Sequence, residues 1–564
     1  MPQFEKIAEM IHQNGGVAIQ QILHAGRYGG IDLGYCVQPS EVPQTLPHFR
    51  PPREMSREEI RQTVKEHGAA AKRAIKAGFD GVEITSFMGY MLANFLSSFT
   101  NKRTDEYGGS IENRARFMVE IIEEIKEAIG DRPLCVRLNG AELMDEFGGN
   151  TEEECLEMIR IAAETGGVDM ISLVIGWQES RVSIFGRDVK HGHWNYLAKN
   201  AKQIAGDIPL AFGVHLPEAA MANDLIASGD IDFWEVCRPF LADPQRLHKF
   251  AEGREDEIKP CISCLLCLSR LFRDLPYLCT SNPALGHEVE LSAAESEMAP
   301  IQKKIAVVGS GPAGLECALS AAKRGHEVVI IDKQAQLGGQ LRLMAEYDLA
   351  NKENLFKLLG YYETMLDKHG VEAELGTLVD RNFRQAYPDI DALVLATGAE
   401  IDRFRSLSKG KEIIDGLELL REKKETGKNV VVLGSGKVGL FIAENLARDN
   451  KNVTIIETEK RIAQDVIPTA KWRHISLVKE LGIKTYAGAQ VKQANSEGIV
   501  IITEDGKETL IEADTIISSY RVANSSLLDV LEFAVDEIYC IGDAVRPRGL
   551  YQAIQEGYRL GLDL

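Results

Sequence analysis

Two stretches of this chain repeat one design. KKIAVVGSGPAGLECALSAAKRGHEVVIIDK (303–333) and GKNVVVLGSGKVGLFIAENLARDNKNVTIIETEK (427–460) each run from a short apolar strand through a glycine turn into a helix, then into a second strand that ends in an acid. The first copy carries Gly309, Gly311, Gly314 and Asp332; the second carries Gly434, Gly436, Gly439 and Glu457. Such glycines permit a tight turn and the close approach of a pyrophosphate, which rests on the unpaired N–H groups of the helix N-terminus. The acid is placed to bond a ribose hydroxyl. A lone pattern of this kind is weak, but here each copy has the strand, the helix and the acid about twenty residues on. Two dinucleotide units therefore constrain the C-terminal half to a parallel α/β design.

The first half alternates short apolar runs with amphipathic stretches. GGVAIQQIL (15–23), GFDGVEIT (78–85), RPLCVRLNG (132–140), GVDMISLVIG (167–176), IPLAFGV (208–214) and DFWEVCRP (232–239) read as six buried parallel strands. The series suggests an α/β fold with a (β/α)₈-type barrel whose first two strands are missing, an apparent N-terminal truncation. The expected organisation is a partial barrel over 1–250, a cysteine segment and linker over 251–300, the first dinucleotide domain over 301–425, the second over 426–525, and a return to the first over 526–564.

Between the halves lies CISCLLCLSRLFRDLPYLC (261–279), with Cys261, Cys264, Cys267 and Cys279 spaced C-x2-C-x2-C-x11-C. Four thiolates can hold a tetrahedral zinc or an iron–sulfur cluster. Zinc more often takes two separated C-x2-C pairs, so this spacing favours a 4Fe–4S cluster; structural zinc and free thiols are the alternatives. The other six of the ten cysteines are scattered singly, which fits a reducing, cytoplasmic setting rather than a disulfide scaffold. A net charge of −20 argues against nucleic acid as a partner. No apolar run reaches membrane-spanning length, and the first residues lack a secretory apolar core, so no membrane role is expected.

The strands LVLATGA (393–399) and IYCIGDA (538–544) complete a resemblance to the two-dinucleotide pyridine nucleotide–disulfide oxidoreductases. It implies FAD on the first unit, with Gly542 and Asp543, and NAD(P)H on the inserted second. Glu457 would repel a 2′-phosphate and favours NADH over NADPH, although Arg461 stands close by. The redox-active Cys-x4-Cys pair of those enzymes is missing from this half, so electrons reaching the flavin need another exit.

In the first half, QQILHAGR (20–27) and EITSFMGYMLANFLSSFTNKRTDEYGGSIENRARF (83–117), taken with the cysteines and the paired units, resemble the old yellow enzyme superfamily. More narrowly, the chain is similar to the multidomain 2,4-dienoyl-CoA reductase / enoate reductase / NADH:flavin oxidoreductase group. That resemblance implies FMN in the barrel, contacted by Gln21 and Arg137, with its phosphate gripped by Gly213 and Arg238. It casts Tyr90 as the acid that protonates a substrate carbon. The carbonyl-polarising His/Asn or His/His pair of old yellow enzymes is replaced by Thr85 and Met88, and the histidine that dienoyl-CoA reductases use is replaced by Gln178, with His24 as the nearest other candidate. The implied route is NADH to FAD to 4Fe–4S to FMN to an activated C=C bond of a small molecule, a CoA thioester being one option. NADH oxidation by oxygen, an amine-type dehydrogenase and a catalytically incomplete fragment are the alternatives. Substrate, direction and oligomeric state, a homo-oligomer included, are left open.

Overall fold

The six apolar runs of the first half do form strands: β1 (Ile19–Ile22), β2 (Gly81–Ser86), β3 (Leu134–Ala141), β4 (Met170–Ile175), β5 (Leu210–Phe212) and β6 (Phe233–Trp234). The computed structural model describes residues 1–29, 34–46, 50–271, 273–291, 297–347 and 352–564. It divides into two units, Met1–Phe185 with Val189–Val236, and Gly186–Asp188 with Cys237–Leu564.

In the first unit the strands pair in chain order as one parallel sheet, with β1 and β6 at its two edges. It is six-stranded, part of a barrel wall rather than a closed eight-stranded ring. The register gives the sheet two unlike faces. Val82, Ile84, Leu134, Val136, Leu138, Ile171, Leu173, Leu210 and Phe212 are buried with the helices in one core. The helix Arg57–Lys76 supplies Ile60, Val64, Ala71 and Ala74 to that core; Ser56 and Glu59 start it with a reciprocal capping box that satisfies two orphan N–H groups. The alternate positions face the other way, and several of them are polar. Gln21 pairs with Glu83, Thr85 with Arg137, and Arg137 with Ser172. Side chains alternate along a strand while paired residues share a face, so one inner wall carries these residues together. The edge nearest the start is sparsely covered, with Phe4, Ile7, Met10 and Val17 exposed.

The second unit holds the two dinucleotide domains. The first consists of β7 (Lys304–Val308), β8 (Glu327–Asp332), β9 (Glu372–Leu375) and β10 (Ala392–Leu395), joined by a late strand Glu537–Cys540, in the spatial order β9-β8-β7-β10-late strand, all parallel. The inserted domain repeats the plan. Its strands Asn429–Leu433 and Asn452–Ile456 flank the helix Lys437–Arg448 and lie in a five-stranded parallel sheet. A short antiparallel pair, Ala399–Ile401 with Arg521–Ala523, carries the chain into and out of the insertion. Part of the polar linker, residues 292–296, lies outside the described residues. Among the described residues no helix is long and apolar enough to cross a membrane.

Candidate active site and cofactor sites

The inner wall of the first unit is a chain of opposite charges. Gln21 Nε2 donates to Glu83 Oε1 at 2.5 Å, Arg137 lies 3.9 Å from Glu83, and its two terminal nitrogens each reach Glu235 at 3.1 Å. Ser172 Oγ donates to the same Glu235 at 2.6 Å, and burial pushes the Glu83 carboxyl above its ordinary value. Gln21 and Arg137, singled out in the sequence, are thus brought together by two acids that were not. Gly213 ends β5 where a Cβ would come within 1.8 Å of the Glu235 carbonyl, so packing alone requires glycine there. Arg238 belongs to the other unit.

Beyond the C-terminal end of β2 the chain turns through Met88, at φ +56°, and Gly89, at φ +79°. A Cβ on Gly89 would lie 2.7 Å from both Trp177 and Tyr28, so the glycine lets these rings crowd against the turn. Tyr90 follows and caps the short helix Met91–Leu96. Gln178, beyond β4, is brought to this turn by its N–H, which donates to Met88 O at 3.4 Å; burial raises the Tyr90 phenol above its ordinary value and the nearby Gln178 amide partly offsets the rise. The two candidates for substrate chemistry, distant in sequence, therefore form one pair. Tyr28 packs edge-on against Tyr90 with ring centroids 6.1 Å apart.

Under this pair lies a buried network that the sequence did not announce. Glu179 accepts from Tyr28 Oη at 2.8 Å and from Thr45 N and Oγ1 at 2.7 and 2.9 Å, and it pairs with Arg27 at 3.1 Å. Neither side chain of the pair is exposed, and the other arms of Arg27 reach Gln38 Oε1 and Pro43 O. The Arg of HAGR is a buried anchor for the loop that carries Gln178. His24 is turned to its own backbone: Nδ1 accepts from Gly26 N at 3.1 Å, and burial lowers its pKa, which holds the ring neutral. Buried Thr85 Oγ1 and Trp177 Nε1 have no hydrogen-bond partner in the structure.

In the second unit both glycine turns open helices as expected. Gly311 caps Pro312–Lys323 and Gly436 caps Lys437–Arg448. Cβ atoms on Gly314 and Gly439 would strike the carbonyls of Gly309 and Gly434 at 1.9 and 2.1 Å. The two acids work alike. Asp332 accepts from Ser310 N and Oγ at 2.6 and 2.7 Å, and Glu457 accepts from Ser435 N and Oγ at 2.7 and 2.6 Å. Each acid thus ties its strand to the serine inside its own glycine turn. Gly542 N donates to Glu556 at 2.7 Å, and Asp543 accepts from Arg548 N at 3.0 Å.

The four cysteines line one cavity with Arg238, Leu241, Ile262, Leu265 and Thr280, an empty volume of about 310 Å³ counted to its open mouth. Thr280 Oγ1 lies 3.2 Å from Cys264 Sγ. Burial pushes the Cys267 and Cys279 thiols up to about 11 and 12. Among the described residues no three His, Cys, Asp or Glu side chains are grouped to hold a single metal ion.

Residues 1–257 match the NADH:flavin oxidoreductase / NADH oxidase family, and residues 303–557 match the pyridine nucleotide–disulphide oxidoreductases. Over 99% of this chain and 87% of its partner, the sequence is 35% identical to an NADH oxidase of Thermoanaerobacter brockii. It is 31% identical to a cinnamate reductase of Clostridium sporogenes over 99% of this chain and 86% of that protein. A solved 2-naphthoyl-CoA reductase in complex with 2-naphthoyl-CoA superposes with a TM-score of 0.91 at 33% identity, covering all of this chain and 87% of that one. The chain belongs to the NADH:flavin oxidoreductase / NADH oxidase family. This is the old yellow enzyme-type multidomain group, and the protein is an oxidoreductase with an FMN-type barrel module followed by an FAD/NAD module.

Proposed function

We propose that this chain is an NADH-dependent reductase of an activated C=C bond, in an enoyl- or dienoyl-type thioester or a related enoate, with Tyr90 as the proton donor. The approach of Gln178 to Tyr90 carries the reading: Gln178 N donates to Met88 O at 3.4 Å, two residues before Tyr90, and the amide side chain lies near enough to act on the phenol. An amide that donates to the phenol oxygen leaves the phenol O–H to point at substrate, and burial keeps that group protonated at neutral pH. Gln178 also offers a donor for a carbonyl or thioester oxygen, a role that needs no proton of its own. FMN, when bound on the inner wall beside Gln21 and Arg137, supplies the hydride that a phenol cannot. Orphaned Thr85 Oγ1 and Trp177 Nε1 are what a wall built to meet a polar ligand would present. The cinnamate and naphthoyl-CoA reductases among the relatives support an aryl- or enoyl-type substrate.

The cysteine cavity fits a 4Fe–4S cluster. Its four thiols share one pocket, and four thiolates are the ligand set such a cluster takes. Gly309, Gly311, Gly314, Asp332, Gly542 and Asp543 would hold FAD, and Gly434, Gly436, Gly439 and Glu457 would hold NADH. Glu457, buried at the end of its strand, favours NADH, since a carboxylate at that position repels a 2′-phosphate. A second reading, oxygen reduction, has the NADH oxidase relative in its favour.

The test is Tyr90→Phe in enzyme purified without oxygen, with iron, FMN and FAD counted first. Loss of a positioned general acid costs about 10²- to 10⁴-fold. The variant is expected to lose C=C reduction on that scale while NADH-driven reduction of an artificial dye continues. Equal C=C reduction by variant and wild type would overturn Tyr90 as the acid.

A further inference from the structure

The two glycine turns of the second unit are built alike, yet they differ where a pyrophosphate would rest. Six residues past its acid, each copy returns to its own turn. Gly338 N donates to Ser310 O at 2.9 Å, and Ala463 N donates to Ser435 O and to Ser435 Oγ, both at 3.2 Å. Both residues take positive φ, +110° at Gly338 and +60° at Ala463, which is buried. An alanine in that region is held there by its contacts.

Two residues further on the copies part: the first has Gln340 and the second Asp465. The Asp465 carboxylate straddles the start of the helix Lys437–Arg448, with its oxygens 3.0 and 3.2 Å from Lys437 N, the first N–H of that helix. A Cβ built on Gly436 would meet these oxygens at 3.2 and 3.0 Å. At the matching Gly311 a Cβ would meet no described atom within 4 Å, and the next residue, Pro312, has no N–H to offer. The space before the first turn is therefore open, while the same space before the second holds an anion. A carboxylate and a pyrophosphate are drawn to one helix end by the same unpaired N–H groups. Asp465 is exposed, so its side chain can swing into solvent without opening the core.

We propose that Asp465 is a built-in competitor for the pyrophosphate of NADH, and that it keeps the second nucleotide site exchangeable while the first retains FAD. The inference rests on the reading of the second turn as the NADH site. Nucleotide entering that turn displaces the carboxylate from Lys437 N, and the carboxylate returns as spent nucleotide leaves. The apparent affinity is the intrinsic one reduced by the fraction of chains in which Asp465 has swung away. A hydride donor has to come and go at each turnover, and this contact shortens its stay.

The experiment is titration of the full chain, its FAD content counted first, with two probes. ADP-ribose carries the pyrophosphate of NADH but no hydride, and adenosine carries no phosphate. Asp465→Asn keeps the shape of the side chain and removes its charge; Asp465→Gln gives the second copy the residue of the first. Both are expected to bind ADP-ribose about tenfold more tightly than wild type, because a charge-assisted bond to the helix end is lost from the closed form. Adenosine binding and FAD content are expected to stay as they were. ADP-ribose binding that is unchanged or weaker in both variants would overturn the proposal. So would an equal gain for adenosine, which would place the effect in the loop rather than at the pyrophosphate. If neither wild type nor any variant binds ADP-ribose, the NADH reading of the second turn fails, and the proposal with it.

Discussion

Replacing Glu179 by Leu should uncouple the loop that carries Gln178. The carboxylate is fully buried 3.1 Å from Arg27, and it also satisfies Tyr28 Oη and both polar groups of Thr45. With an effective dielectric near 20 the pair attraction is about 5 kcal/mol before desolvation, and breaking a buried pair from one side costs about 3–5 kcal/mol. Glu179→Leu should cost that much because it strands the Arg27 charge; Arg27→Met should cost a similar amount. The double variant Arg27→Met/Glu179→Leu removes both charges, so its cost should fall short of the sum by at least about 2 kcal/mol. A chain of two units does not unfold in one step, so the assay is hydrogen exchange of the amides over 34–46 and 170–180 in the full protein. Additive single effects, or a loss of under about 1 kcal/mol for Glu179→Leu, would refute the buried pair as the anchor.

Two further outcomes follow from other parts of the fold. Glu142 is buried, accepts from Ser97 Oγ at 2.7 Å and Asn150 N at 2.9 Å, and burial lifts its carboxyl to about 7. A raised carboxyl favours the protonated fold, so its cost is absent below about 4.5, grows with pH and levels off above about 7 at roughly 3 kcal/mol. Glu142→Gln should match wild type in thermal unfolding at pH 4 and exceed it at pH 8; a gap independent of pH would contradict this. Gly439→Ala would set a Cβ 2.1 Å from the Gly434 carbonyl and 2.7 Å from Ser519 Oγ. It should abolish NADH binding in a fluorescence titration and leave the FAD content intact; unchanged NADH affinity would show that the second turn does not hold the nucleotide.

The parts of this fold legible in sequence were those with rigid backbone demands. Gly314 and Gly439 tolerate no side chain because a carbonyl fills the space, so the repeated units could be read without a structure. The six strands were legible as apolar runs, but the same runs hid the inner wall. Glu83, Ser172 and Glu235 each stand as a single polar residue in an apolar context, and only the strand register shows that they share a face. Glu179 was overlooked beside Gln178 because its partners, Arg27, Tyr28 and Thr45, lie more than 130 residues away. Ser310 and Ser435 each donate to their unit's acid, a contact that the glycine spacing does not encode. The pairing of Tyr90 with Gln178 depends on how two loops fold back over the sheet, and no local pattern encodes that contact.

The most direct test of the central claim is NADH oxidation without oxygen, run in heavy water with an α,β-unsaturated aryl thioester such as cinnamoyl-CoA as the only acceptor. The account predicts one NADH consumed per C=C bond reduced, with solvent deuterium at both carbons of the product: one at the carbon that Tyr90 protonates, and one at the other carbon, because electrons that travel singly leave the NADH hydrogen behind. NADH consumption that appears only when oxygen is admitted, with the thioester recovered unsaturated, would contradict it.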